Sequence, residues 1–232
     1  MREISLRKNK SEKIESAKFD LRFLLNQGYK KKSAITFVAN RYLLNKSQRN
    51  LLARSVFSLE VSESRKKKKV DLEQLRDQTV LIDGYNVLIT IETICKRKYE
   101  DLVVGDDDFL RDLNAVFGKY KYDPTTEKAL KKIVDILSTY KTGYVYFLFD
   151  KQVSFSGKLA ALTKELLNSN NLKGEAILSK KVDFEIKKSL KSVNGIVATG
   201  DGVIIDKADK VIDLPYYLMK KELKKNNKKE DN

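Results

Sequence analysis

The sequence predicts an α/β domain with a mostly parallel sheet, preceded by a small all-helical domain. Three observations carry that expectation. From Asp71 onward, short β-rich runs alternate with helical patterns, the signature of a parallel sheet covered on both faces. Before that point the apolar residues recur only at helical spacing. Aspartates also stand where apolar strands run out, in Val80-Leu81-Ile82-Asp83, in Tyr144-Val145-Tyr146-Phe147-Leu148-Phe149-Asp150 and in Ile196-Val197-Ala198-Thr199-Gly200-Asp201. The chain divides into a basic helical domain over 1–62, a lysine-rich linker over 63–70, an α/β domain over 71–216 and a basic C-terminal helix and tail over 217–232.

In the helical domain, Ile14, Ala17, Leu21, Leu24 and Leu25 give a first amphipathic helix over 11–27 that Gly28 ends. Ser33 caps a second helix through Leu44, with Ile35, Val38, Ala39 and Tyr42 inward. Asn45 or Ser47 starts a third, carrying Leu51, Leu52 and Val56. The tight turn between the second and third helices, and the polar set Lys46, Gln48, Arg49, Asn50 and Arg54, match a helix-turn-helix recognition helix: Arg, Gln and Asn read base edges while Lys and Arg touch phosphates. A basic helical bundle that binds RNA or protein shares that makeup. The run Ser62 to Lys69 has no apolar content and reads as a solvated linker whose Lys66, Lys67 and Lys68 follow a phosphate backbone.

In the α/β domain, strands are expected at 79–83, 101–104, 143–149, 174–178, 195–199 and 210–213. Helices are expected at 86–95, 108–119, 125–140, 157–169, 181–191 and 215–225, with Pro124 and Pro215 at the starts of two of them. The tail from Lys220 begins helical and ends disordered.

Composition narrows the chemistry. The chain has 232 residues, no histidine and one cysteine, Cys95, so Ser/His/Asp triads, His-ligated zinc and an internal disulfide are all closed off. No apolar run reaches the ~18 residues that a membrane span needs, and the start of the chain lacks the apolar core of a signal peptide, so a cytoplasmic protein with no membrane partner is expected. The net charge of +15 sits in the flanks: residues 1–70 hold 19 Lys and Arg against 6 Asp and Glu, and 217–232 hold 6 against 3. A nearly neutral middle flanked by basic segments suggests a polyanion-binding attachment on a carboxylate-bearing core. Lysine runs that only keep a surface solvated are the competing explanation.

The strand-end motifs carry a resemblance. Asp83-Gly84-Tyr85-Asn86 resembles the opening motif of the NYN group of PIN-like ribonucleases, and Phe149-Asp150 resembles that group's second acidic strand end. Val182-Asp183-Phe184-Glu185-Ile186 resembles the acid at the start of its next helix, and Thr199-Gly200-Asp201 its Thr/Ser-x-Asp strand end. More closely, Gly105 to Leu113, Asp150 through Ser154-Phe155-Ser156-Gly157, and the helical segment Gly28 to Phe57 resemble an uncharacterised, largely archaeal family that joins a small helical domain to a PIN-like domain. The wider NYN group implies a PIN-like three-layer α/β/α fold and metal-dependent cleavage of RNA, and it allows a homodimer, whereas the helix-turn-helix makeup favours DNA.

Independent of family, carboxylates meeting at one sheet edge repel one another and suit a hard cation such as Mg²⁺ or Mn²⁺. Such an ion lowers the pKa of a bound water for attack on phosphorus. Asp83, Asp150 and Asp201 are the candidate ligands, Asp183 the fourth, and Asn86 the group that orients one of the acids. Asp107, Asp108 and Asp206 are further candidates, each equally suited to capping a helix. Ser154 and Ser156, with Lys158 nearby, resemble a phosphate-cradling loop.

Two other folds with acidic phosphate sites compete. Gly200-Asp201-Gly202 looks like the late acidic motif of haloacid-dehalogenase-like phosphatases, but those need an acid two residues after the first aspartate, where this chain has Tyr85. A phosphorylated receiver domain needs paired acids on its first strand, and Asp83 stands alone. From a different class, a nucleic-acid-binding or ribonucleoprotein-associated regulator with a degenerate core keeps the basic attachment without the chemistry.

Overall fold

The computed structural model describes residues 2–114, 120–192 and 195–230. The elements up to the sheet's first strand are α1 (Arg2–Asn26), α2 (Lys31–Arg41), α3 (Lys46–Ser55), α4 (Leu59–Lys66) and β1 (Thr79–Asp83). There follow α5 (Gly84–Cys95), β2 (Leu102–Val104), β3 (Leu110–Asp112), α6 (Pro124–Thr139), β4 (Tyr144–Asp150), α7 (Ser156–Ser169) and β5 (Gly174–Ser179). The last are α8 (Val182–Ser192), β6 (Ile196–Ala198), α9 (Gly202–Lys207), β7 (Val211–Ile212) and α10 (Leu214–Glu230). The chain forms two compact units, one of residues 1–67 with 103–113 and the other of 68–102 with 114–232. No helix among the described residues is long and apolar enough to cross a membrane.

In the first unit, Ala17, Leu21, Ala34, Val38, Ala39, Leu44, Leu52 and Val56 make the core, with Ile14, Leu24, Leu25, Ile35 and Tyr42 packed on it. Gly28, at φ +84°, stops α1 in a Schellman turn. Its N–H reaches the Leu25 carbonyl at 3.0 Å and the Tyr29 N–H the Leu24 carbonyl at 3.1 Å. Asn45 and Gln48 close a reciprocal capping box at the start of α3.

The stretch read as a solvated linker is different: α4 extends through Lys66, capped by Ser58, whose hydroxyl accepts the Val61 N–H. Arg65, inside the charge run, is buried against Asp107 at 2.9 Å. The helix expected over 108–119 does not begin where the aspartates suggested either. Asp108 turns the chain at φ +61°, and β3 returns to pair with β2. The acids that would have capped a helix are spent on arginines. Arg22 binds Asp106 through two hydrogen bonds of 2.9 and 2.8 Å, and Arg111 binds Asp107 through two of 2.7 Å. Residues 115–119 of that expected helix lie outside the described residues.

In the second unit, five strands pair in parallel in the order β5-β4-β1-β6-β7. Ile82 of β1 stands level with Phe147 of β4 and Ala198 of β6, and all three are buried. A central strand with both of its faces buried needs helices above and below, as the near-continuous apolar run Val80-Leu81-Ile82 implies. Among those helices α5 packs against α6 and α10, α6 against α7, and α8 against α9. The short helix α9, absent from the sequence expectation, exists because Asp201 caps it, its Oδ1 accepting the N–H groups of Val203 and Ile204. Helix α10 continues to Glu230, beyond the point near 225 where the sequence suggested an end and a disordered tail.

Candidate functional site

The strand order explains why three acids meet. From the central β1 the chain steps to β4 on one side and later to β6 on the other, so its connections diverge at the carboxyl ends of adjacent strands. That divergence opens a crevice there. A cleft of about 440 Å³ is lined by Asp83, Asp150, Asp183 and Asp201 together with Tyr85, Asn86, Leu148, Lys180, Lys181, Val182 and Phe184. The four carboxylates and the asparagine singled out from the sequence thus share one cleft.

Each reaches it for a local reason. β1 passes straight into α5, Asp83 being both its last residue and the residue before the helix. Gly84 makes that junction feasible, since a Cβ there would sit 2.7 Å from the Leu148 carbonyl oxygen and 2.5 Å from the Phe149 ring. Asp83 is 8 % exposed, and Thr199 Oγ1 donates to its Oδ2 at 2.8 Å. Burial, with Asp201 and Asp183 adding negative charge nearby, pushes the Asp83 carboxyl up to about 7, against the pull of the Thr199 hydroxyl. Asn86 Oδ1 accepts the Gly200 N–H at 2.7 Å, and the Asp201 N–H donates to Thr199 Oγ1 at 3.0 Å, tying the end of β6 to the start of α5. Asp150 Oδ1 accepts the Gln152 N–H at 2.8 Å, and Asp183 stands in the first turn of α8.

The donor set is all oxygen, which suits Mg²⁺ or Mn²⁺. Among the described residues, no three such side chains already converge into a group that holds an ion. The four therefore share a cleft without forming a closed cage.

The remaining candidates lie elsewhere. Asp107 and Asp108 belong to the first unit, Asp107 fully buried between Arg65 and Arg111 and Asp108 3.9 Å from Lys66. Asp206 is on α9, exposed and outside the cleft lining, and its backbone carbonyl accepts from Lys68. The loop of Ser154 and Ser156 also falls outside the lining: Ser156 is buried with its hydroxyl turned to the Lys151 carbonyl, and the Lys158 ammonium lies 4.0 Å from the Tyr122 ring centre.

Of the nucleic-acid candidates, Gln48 is spent on its capping box. Arg49 bonds the Leu44 carbonyl and Asn40, Arg54 the Asp112 carbonyl, Lys66 Glu63, and Lys68 the carbonyls of Ile205 and Asp206. Lys46 and Lys67 stay exposed. Gln48, Arg49 and Arg54 are thus committed inside their own unit, while Asn50 stays exposed.

Comparison with known proteins agrees with this two-part build. A family model described as "Domain of unknown function (DUF5616)" matches residues 72–217, more than half of the chain. The chain belongs to the DUF5616 family. A second model, "Protein of unknown function (DUF434)", matches residues 13–68, which lie in the first unit up to Lys67, while residues 103–113 of that unit fall inside the first match. "Uncharacterized protein MJ0935" of the archaeon Methanocaldococcus jannaschii is 38% identical over 192 residues, which are 83% of this chain and 88% of that protein. No solved structure matches the chain.

Sequence reasoning did not single out Tyr85, Lys180, Lys181 or Phe184 of the cleft lining, nor Thr199, which lies outside the lining and bonds Asp83. Thr199 was visible only as part of a Thr-Gly-Asp string, and Tyr85 as a spacer between Asp83 and Asn86. Lys180 and Lys181 were hidden in a lysine-rich chain; their position immediately between β5 and α8 was the available signal.

Proposed function

We propose that this protein is a metal-dependent nuclease, with RNA as its substrate and a PIN-like α/β domain as its catalytic part. The observation that carries the reading is the meeting of Asp83, Asp150, Asp183 and Asp201, from two strand ends and two helix starts, in a single cleft. The sequence motifs that resemble NYN-type ribonucleases are the same ones that supply these four acids.

A bound Mg²⁺ or Mn²⁺ supplies a water of lowered pKa and a countercharge for the phosphate oxygens. Asp83, Asp150, Asp183 and Asp201 would hold it, some directly and some through water, since Mg²⁺ keeps several waters and takes only one or two carboxylates. Thr199 fixes one oxygen of Asp83, so that the other is presented to the cleft in a set orientation. Asn86 acts on the scaffold: by holding the Gly200 N–H it keeps Asp201 beside Asp83. Lacking histidine, the site relies on carboxylates to accept the proton of the attacking water and on solvent to protonate the leaving oxygen.

The test is cleavage of end-labelled single-stranded RNA, hairpin RNA and duplex DNA with Mn²⁺ or EDTA, comparing the wild type with Asp83→Asn/Asp201→Asn. Cleavage of RNA that needs the metal and disappears in the variant is the expected result. Retardation of RNA in a gel by both proteins, with no cutting by either, would replace catalysis with binding alone.

A further inference from the structure

Within the same cleft, the α8 side carries, beside Asp183, groups of a kind that metal binding does not use. Lys180 and Lys181 lie in the turn between β5 and α8, and Phe184 follows in the first turn of the helix. The Lys181 N–H is held by Ser179 Oγ at 3.0 Å and its carbonyl by the Phe184 N–H at 3.0 Å, so this wall has a defined backbone. Among the described residues neither lysine ammonium takes a carboxylate partner, although four aspartates line the same cleft. Phe184 is 59 % exposed, an apolar ring left to water at the edge of a charged site. Tyr85 also lines the cleft, but it is 3 % exposed and its hydroxyl, without a hydrogen-bond partner among the described residues, is closed off from solvent. A buried phenol of this kind costs free energy unless something accepts from it.

Ammonium groups without a carboxylate partner and an exposed aromatic face complement a nucleotide in two of its parts, phosphate and base face. We propose that Phe184 is a platform on which one unpaired base of the bound strand stacks, and that Lys180 and Lys181 hold the phosphates on either side of it. The inference rests on the nuclease reading of the carboxylates and adds what selects the strand. A base in a duplex keeps both faces covered by its neighbours, so a site that needs one bare face selects loops and single strands.

The experiment uses the full chain and a set of fluorescein-labelled 12-nucleotide RNAs in which a single abasic residue is walked along the strand. Binding is read by anisotropy in EDTA and cleavage by gel in Mn²⁺, for the wild type, Phe184→Ala, Phe184→Trp and Lys180→Ala/Lys181→Ala. For the wild type, one abasic position weakens binding roughly 5- to 150-fold, the range that one base–aromatic stack contributes. Phe184→Ala weakens the intact RNA by a similar factor and becomes indifferent to that abasic position, whereas Phe184→Trp restores both affinity and the abasic penalty. The double lysine variant flattens the salt dependence of binding.

An abasic penalty that is the same in the wild type and in Phe184→Ala overturns the platform, whether or not the protein cuts. Binding with the expected penalty but no cleavage in Mn²⁺ upholds the platform and overturns the nuclease reading. If the wild type neither binds nor cuts these RNAs, both fall.

Discussion

Thr199 donates a 2.8 Å hydrogen bond to the Asp83 carboxylate, joining the ends of two neighbouring strands through the one acid that the fold buries most deeply in the cleft. The bond sets both the orientation of Asp83 and the pH range in which it is charged. Thr199→Val keeps the shape and removes the donor, so the Asp83 carboxyl rises above about 7. The expected result is a shift of the acid limb of the activity profile to higher pH, with about 1 kcal/mol lost from stability. A pH series of cleavage rates on the variant checks it.

Asp83 itself is predicted to cost stability. Its folded carboxyl is raised to about 7 from an ordinary 3.8, so the folded state binds the proton more tightly than the unfolded one. Stability then falls as pH rises from about 4 through 7, by an amount on the order of 4 kcal/mol. Asp83→Asn relieves this: in EDTA the variant should be more stable than the wild type at pH 8 and nearly equal to it at pH 4. Thermal melts at the two pH values measure the difference, and added Mn²⁺ should stabilise the wild type while leaving the variant where it was.

Gly84 is predicted to be irreplaceable. Alanine would bring a Cβ to 2.7 Å from the Leu148 carbonyl oxygen, a backbone atom held in the central strand pair and unable to turn aside. Gly84→Ala should cost roughly 1–3 kcal/mol, as overpacking does, and should displace Asp83. Urea denaturation paired with a cleavage assay tests both, and the expected loss of activity exceeds what the fraction unfolded explains.

The acid pair of the first unit should behave in the opposite sense from Asp83. Although burial works against its charge, Asp107 is held below the usual carboxylate range by Arg111 and Arg65. A lowered folded pKa contributes stability above the unfolded value, and that contribution is lost as pH falls through the folded one. Arg111→Ala leaves a buried carboxylate short of its bidentate partner, which should cost about 3–5 kcal/mol. Chemical denaturation measures the loss, with Mn²⁺ affinity of the cleft as the quantity that should not move.

Much of the second unit was legible because its signals are local. The runs ending at Asp83, Asp150 and Asp201 are short, apolar and β-branched or aromatic, and parallel strands buried on both faces have that pattern. Each of those runs fell within a residue or two of a real strand. Their meeting in one cleft followed from a rule about strand ends rather than from any single residue. What was not legible depended on partners distant in sequence. Nothing near Asp107 announced Arg65, 42 residues earlier, so an acid that neutralises two arginines read as a helix cap. For the same reason Arg65 read as solvated linker. Gln48, Arg49 and Arg54 looked like a base-reading set because composition reports which donors a helix carries, and not which carbonyls and side chains they meet.

Titration calorimetry of Mn²⁺ into the metal-free full chain, beside Asp83→Asn and Asp150→Asn, tests the carboxylate site most directly. The account predicts saturable binding by the wild type and its loss in both variants, although the two residues sit on different strands. Equal binding by all three proteins, or no binding by the wild type, would contradict it.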